Sequence, residues 1–316
     1  MRTAQEHRVR AGGLRIHVRE VGEGAPVLLV NGLGAHAAMW APVEEVLDGL
    51  RLIEFDAPGT GRTRSTIAPV PIPGLAWLAT KVLDELGVAR ADVLGYSMGG
   101  IVAQQLAIAA PERVRRLVLV ATTPGIGGVP GEAYAMLNVA TPLRYWSPAF
   151  YAATIGGMVG GRARTDPQWV AEHGRLRRRS PPSAWGYAGQ LMSIGTWTTL
   201  PMLHCIRHPV LVVTGDDDPL VPPANSYLLA HRLPHARLLL APGEGHLLLM
   251  DPDSTALAGI HGFLQAGRPD DAPAWRDAAV VDDATVRAAI AGTRSPLQPL
   301  ATVGALMRRA WPARAA

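Results

Sequence analysis

Three short stretches carry side chains that together can cleave an acyl bond. In "GYSMG", Ser97 stands between Gly95 and Gly99 where an apolar run gives way to a helical one. That spacing presents a serine on a tight strand-to-helix turn, with helix amides facing charge that develops beside it. Five residues alone make a weak signal, but the apolar "ADVLGYS" before Ser97 and the helical "MGGIVAQQLAIA" after it strengthen the assignment. A hydroxyl is a poor nucleophile at neutral pH and needs a base. Of the ten histidines, His246 in "APGEGHLLLMDPD" is the candidate, on a loop after a late strand-like run. The base needs an acid to fix its tautomer. "VVTGDDDPLVP" supplies Asp218, with Asp216 and Asp217 as reserves whose ordinary role is turn formation.

Acyl transfer also develops an oxyanion, which two preorganised backbone N–H groups can hold. Met98 supplies one, and Leu33 in "VNGLGAH" the other, with Gly32 and Gly34 shaping that loop and Asn31 bonding locally. Gly32, His36, Trp146, Trp185 and Trp197 are the candidate substrate-contacting residues; His36 and Trp40 could equally pack. "FDAPGTGRT", with Asp56, Gly59 and Gly61, reads as a structural bend.

These residues need a scaffold that brings distant loops together. Short strand-like runs ("LRIHVREV", "PVLLVNG", "LRLIEFDAPG", "RRLVLVAT", "HPVLVVTGD", "ARLLLAPG") alternate with helical stretches such as "GLAWLATKVLDELGV" and "PANSYLLAHRL". That alternation predicts an α/β fold, a mostly parallel sheet flanked by helices. The interval 124–200 breaks it and is rich in Gly, Pro, Trp and Tyr, including Trp169, Tyr134, Tyr145, Tyr151 and Tyr187. It reads as a helical cap between core parts 1–123 and 201–267, placed to close over a ligand pocket. Residues 268–316 form a C-terminal extension. Within it Leu297, Leu300, Val303, Met307 and Trp311 recur near helical spacing beside Arg308, Arg309 and Arg314. Such a helix docks on its own core or, less favoured, on a lipid or polymer-granule surface.

Composition narrows the classes. The chain has 316 residues, 48% hydrophobic and 18% charged, as globular proteins do. No stretch reads as membrane-spanning, and the charge-dotted N-terminus lacks a secretory core, which predicts a cytoplasmic location. The net charge is +4, but Lys81 is the one lysine and no aromatic-interleaved basic motif appears, so nucleic acid is not the expected partner. The cluster "RLRRRS", with Arg175, Arg177, Arg178 and Arg179, reads as a solvated helical face. Cys205 stands alone and reads as a reduced thiol. Neither "GIGGVPG" nor "GGMVGG" opens a helix after a strand, so no nicotinamide or flavin is expected, and no metal-ligand spacing stands out.

The order Ser97, Asp218, His246, with an oxyanion loop ahead of the elbow, resembles the α/β-hydrolase superfamily from about Ala11 to Ala266. Within it, "LLVNGLGAH", "FDAPGTGRT", "PERVRRLVLVATTPG", "TPLRYWSP", "TGDDDPLVP" and "GHLLLM" are most similar to intracellular medium-chain-length poly(3-hydroxyalkanoate) depolymerases. One departure stands at the elbow, where Met98 follows the serine and that group carries tryptophan. The resemblance implies Ser97 as nucleophile, Asp218 as acid and His246 as base of a serine ester hydrolase working through an acyl-enzyme on hydrophobic hydroxyalkanoate esters. The alternatives are a general small-ester esterase or lipase, and carbon–carbon bond hydrolysis or perhydrolysis with the same triad. A non-catalytic ligand-binding homologue is the alternative of another class.

Overall fold

The computed structural model describes residues 3–293. The expected amphipathic segment from Leu297 to Trp311 lies outside the described residues. The strands are β1 (Ala4–Ala11), β2 (Leu14–Val21), β3 (Ala25–Val30), β4 (Leu50–Phe55), β5 (Ala91–Tyr96), β6 (Val114–Val120), β7 (Val210–Gly215) and β8 (Ala236–Ala241). They form one eight-stranded sheet in the order β1-β2-β4-β3-β5-β6-β7-β8. β1 pairs antiparallel with β2 and β2 antiparallel with β4, and the other neighbours run parallel.

The central strands are apolar along their whole length because both sheet faces are covered. Every residue of β5 and of β7 is buried. Alternation divides their side chains between two cores: Leu28 and Val30 join the helix Ile72–Glu85 on one face, while Val27 and Leu29 join Trp40 and Phe263 on the other. The chain leaves β3 for β4 on one side and returns to β5 on the other. Such a reversal opens a crevice at the carboxyl ends of the strands, where ligands bind in open α/β sheets.

Between β6 and β7 the chain inserts the helices Ala133–Val139, Leu143–Trp146, Pro148–Val159, Pro167–Arg177 and Ala184–Gly195. Ser147, Asp166 and Ser183 begin three of them, each side chain accepting from an N–H at the start of its helix. The "RLRRRS" cluster is a correction to the solvated-face expectation. Arg175 and Arg179 are exposed, but Arg177 is buried, because it stands on the inward stripe of Val170, His173 and Gly174.

Two further features went unread in the sequence. The charged N-terminus forms β1 of a hairpin turning at Gly12–Gly13. Between 268 and 293 the chain is packed: Trp275 stacks on Phe263 at 5.2 Å, and the Ala279 and Leu238 backbones exchange two hydrogen bonds of 2.9 Å, covering the edge of β8. Among the described residues no helix is long and apolar enough to cross a membrane.

Candidate active site

Ser97 follows β5 directly and heads the helix Met98–Ala109, with φ 55° and ψ −121°. A positive φ on a non-glycine residue stores strain that the surroundings must hold. Here the Ser97 N–H donates to the Val120 carbonyl at 2.9 Å, and the Thr122 hydroxyl donates to the Ser97 carbonyl at 2.6 Å. Gly99 is required because a Cβ there would fall 2.0 Å from the Val30 carbonyl oxygen. The helix therefore packs directly against the end of β3, bringing the elbow next to the loop that carries Leu33.

His246, on the loop after β8, bridges the other two groups. Its Nδ1 lies 2.7 Å from Asp218 Oδ2 and its Nε2 3.1 Å from Ser97 Oγ. The second oxygen of Asp218 accepts from the Leu220 and Val221 N–H groups, both at 2.9 Å, so the carboxylate cannot turn away. The imidazole backbone is pinned as well: the His246 N–H donates to Val159 of the inserted segment at 2.7 Å, and the buried Tyr96 hydroxyl donates to the His246 carbonyl at 2.9 Å. Burial, then the nearby Asp218 charge, pushes the Tyr96 phenol well above its ordinary value, so it remains a donor. The neighbouring acids have other work. Asp217 binds Arg164 and the Gly161 N–H, and Asp216 accepts from Gly243.

Met98 is the first residue of its helix, so its N–H has no helical acceptor. The loop bearing Leu33 is clamped from above. The Leu33 carbonyl accepts from the Tyr145 hydroxyl at 2.6 Å and from Arg144 at 3.4 Å, and the next N–H, that of Gly34, donates to Gln190 at 2.8 Å. Gly34 has φ 72°, and a Cβ there would meet the rings of Tyr145 and Tyr187 at 2.9 Å. Asn31 donates to the His36 carbonyl at 3.1 Å and closes the loop below.

Ser97 and His246 open into a cavity of about 660 Å³ lined mainly by apolar groups, among them Met98, Met136, Met158, Ile194, Leu247 and Met250. Of the sequence-derived contact residues, Gly32 lines this cavity and His36, Trp146, Trp185 and Trp197 do not. Trp146 is 44% exposed and Trp185 55%, because their indoles reach outward to the carbonyls of Pro182 and of Thr66 and Ile67. Trp197 packs against the helix-side core. His36 is buried beneath the loop, with Nε2 donating to the Leu176 carbonyl at 3.2 Å, and burial lowers its pKa. Trp40 packs edge-on against Tyr96 at 6.3 Å. Methionine and aliphatic side chains form the wall instead of tryptophan, which gives a deformable apolar lining. Arg144, Gln190 and Val159 are neighbours of the site that the sequence did not single out, while Tyr145, Tyr151 and Tyr187 were placed only in the cap and Arg177 only on a solvated face.

With this arrangement in view, comparison with known proteins is decisive for the family. Residues 25–253 match the family model described as the alpha/beta hydrolase fold. The chain belongs to that family. Among curated relatives, this α/β-hydrolase is 39% identical over 244 residues to a poly(3-hydroxyalkanoate) depolymerase of Ectopseudomonas oleovorans, covering 77% of this chain and 85% of that one. It is 29% identical to a pimeloyl-(acyl-carrier protein) methyl ester esterase of Nitrosomonas europaea, covering 73% and 92%. Among solved structures it superposes on a hydrolase from Pseudomonas aeruginosa PA01 with TM-score 0.71 and 25% identity, covering 84% of this chain and 99% of that one.

Proposed function

We propose that this α/β-hydrolase is a serine carboxylic-ester hydrolase that works through an acyl-enzyme, with hydrophobic hydroxyalkanoate esters as its substrates. The observation that carries the reading is the continuous chain Asp218 to His246 to Ser97, ending in an apolar cavity. Ser97 Oγ attacks the ester carbonyl carbon while His246 Nε2 takes its proton, and Asp218 stabilises the imidazolium. The Met98 and Leu33 N–H groups receive the oxyanion, each donor contributing on the order of 3 kcal/mol. His246 returns the proton to the departing alkoxide, then activates the water that releases the acid and frees Ser97.

The similarity to a poly(3-hydroxyalkanoate) depolymerase supports a hydroxyalkanoate ester over an arbitrary one. So does the cavity, whose methionine and aliphatic lining suits a medium alkyl side chain better than a polar group. We place the residues between β6 and β7 as a cap, because they form the roof of this cavity through Met136, Met158 and Ile194. Turnover of p-nitrophenyl esters of graded chain length, with hydroxyalkanoate granules assayed in parallel, tests the reading. A medium-chain optimum with granule clearing is expected. Activity limited to acetate and butyrate esters would contradict the hydroxyalkanoate assignment.

A further inference from the structure

Arg177 has no part in the chemistry just described, yet it stands in the same cavity as Ser97 and His246. It closes the helix Pro167–Arg177 and is 6% exposed. Its guanidinium lies 4.1 Å from the ring centre of Tyr145 and 5.8 Å from that of Tyr151. The Nε is buried without an acceptor, and among the described residues no carboxylate or carbonyl pairs with the terminal nitrogens. Arg177 is thus a cavity-lining residue that is almost wholly buried.

Arg144 stands in the same wall, its guanidinium 5.0 Å from the ring centre of that same Tyr145. It donates to the carbonyls of Val139 and Leu33 and to the Tyr187 hydroxyl, and it too forms no ion pair among the described residues. In a mainly apolar pocket, whose lining also includes Arg232 and His204, two cations thus flank one ring. The surrounding groups do not neutralise them. Burial holds the Tyr151 and Tyr187 phenols up at about 12, and His173, one turn before Arg177, is kept neutral by burial and by the Arg177 charge. Contact with aromatic faces offsets only part of what it costs to take a guanidinium out of water. A carboxylate entering the cavity would offset the rest, and a guanidinium fork matches its geometry.

We infer that Arg177, with Arg144 beside it, forms a carboxylate subsite, and that the preferred substrate is an ester carrying a free carboxylate close to the scissile bond. This inference rests on the ester-hydrolase reading of Ser97. In a hydroxyalkanoate oligomer the group that meets the requirement is the carboxyl end, where only a methylene and the substituted carbon separate the carboxylate from the alkoxy oxygen. Ser97 Oγ bonds to the carbonyl carbon of the penultimate unit as its proton passes to His246. The bond to the terminal unit's alkoxy oxygen breaks, and that oxygen takes the proton from His246. The terminal unit departs as a hydroxy acid whose carboxylate had been held at Arg177. Water then cleaves the acyl-serine, and the shortened chain again ends in a carboxylate, so units are removed in turn from that end.

The test compares two dimers of 3-hydroxyoctanoate, one with its free carboxylate and one with that group converted to the isosteric primary amide. On the full chain the carboxylate dimer is expected to have a kcat/KM about 10- to 100-fold higher, the range of one charge-assisted hydrogen-bonded pair. Arg177→Met is expected to bring that ratio to within about threefold of one. Taking the ratio on a single preparation cancels any misfolded fraction. Calorimetric binding of both dimers to Ser97→Ala gives the same comparison without turnover. Equal kcat/KM for the two dimers, or an undiminished ratio in Arg177→Met, would overturn the subsite while p-nitrophenyl ester turnover leaves the hydrolase reading standing. Failure to cleave the dimers and every p-nitrophenyl ester would overturn that reading itself.

Discussion

Ser97 is held in a strained backbone by two hydrogen bonds, and His246 and Asp218, its proposed base and acid, are each fixed by contacts that do not involve substrate. That preorganisation sets different penalties for different losses. Asp218→Asn keeps the shape but favours the wrong imidazole tautomer, so kcat for a p-nitrophenyl ester is expected to fall by about three to four orders of magnitude. Tyr145→Phe removes only the hydroxyl that steadies the Leu33 carbonyl, so steady-state kinetics should show kcat down about fivefold to tenfold and KM nearly unchanged. A larger change in KM than in kcat would mean that Tyr145 contacts the substrate ground state instead. That Ser97, His246 and Asp218 come together was legible in the sequence because each sits in a loop whose glycines and flanking strand have few other uses. Arg177 was not, because four arginines in five residues suggest a wet helix face. The stripe of Val170, His173 and Gly174 that buries it shows only at helical spacing. The tryptophans misled for the opposite reason: their size suggested a pocket wall, whereas the Trp146 and Trp185 indole N–H groups find carbonyls at the rim and Trp197 packs against the core.

At the scale of elements, the inserted helices do more than cover the cavity. They donate to and accept from the loops bearing Leu33 and His246 through Tyr145, Gln190 and Val159, so the proposed catalytic geometry depends on how they dock. One consequence is a pH dependence of stability. Burial, aided by the Arg177 charge, holds His173 well below its ordinary value, and its Nδ1 accepts from the Tyr151 hydroxyl. The folded chain therefore keeps this imidazole neutral while the unfolded chain takes up a proton below about pH 6.5. The unfolded state binds more protons in that window, so stability falls as pH falls. Between pH 7 and pH 5 urea denaturation should show a loss of stability from His173, with His36 adding to it, and His173→Leu should flatten the profile. Strands and helices of the core were legible from their apolar runs. The β1 to β2 hairpin was missed because charges on the exposed face masked an alternation that closes on Gly12–Gly13.

At the scale of the whole molecule, the reversal of strand order between β3 and β5 gathers the loops bearing Leu33, Ser97, Asp218 and His246 at the carboxyl ends of the strands. Residues from 269 to 291 lie on the opposite account, that of stability: Trp275 stacks on Phe263, and Val281 and Val286 are buried against the core. Trp275→Ala is expected to lower unfolding free energy by about 3 to 5 kcal/mol in urea, while the folded fraction keeps its kcat. The central claim is that Ser97 becomes acylated, and mass spectrometry of the intact protein, quenched in acid seconds after mixing with p-nitrophenyl hexanoate, tests it most directly. One hexanoyl adduct, mapped to the peptide bearing Ser97 and absent from Ser97→Ala, is the expected result. Undiminished turnover in Ser97→Ala, or an adduct on any other residue, would contradict it.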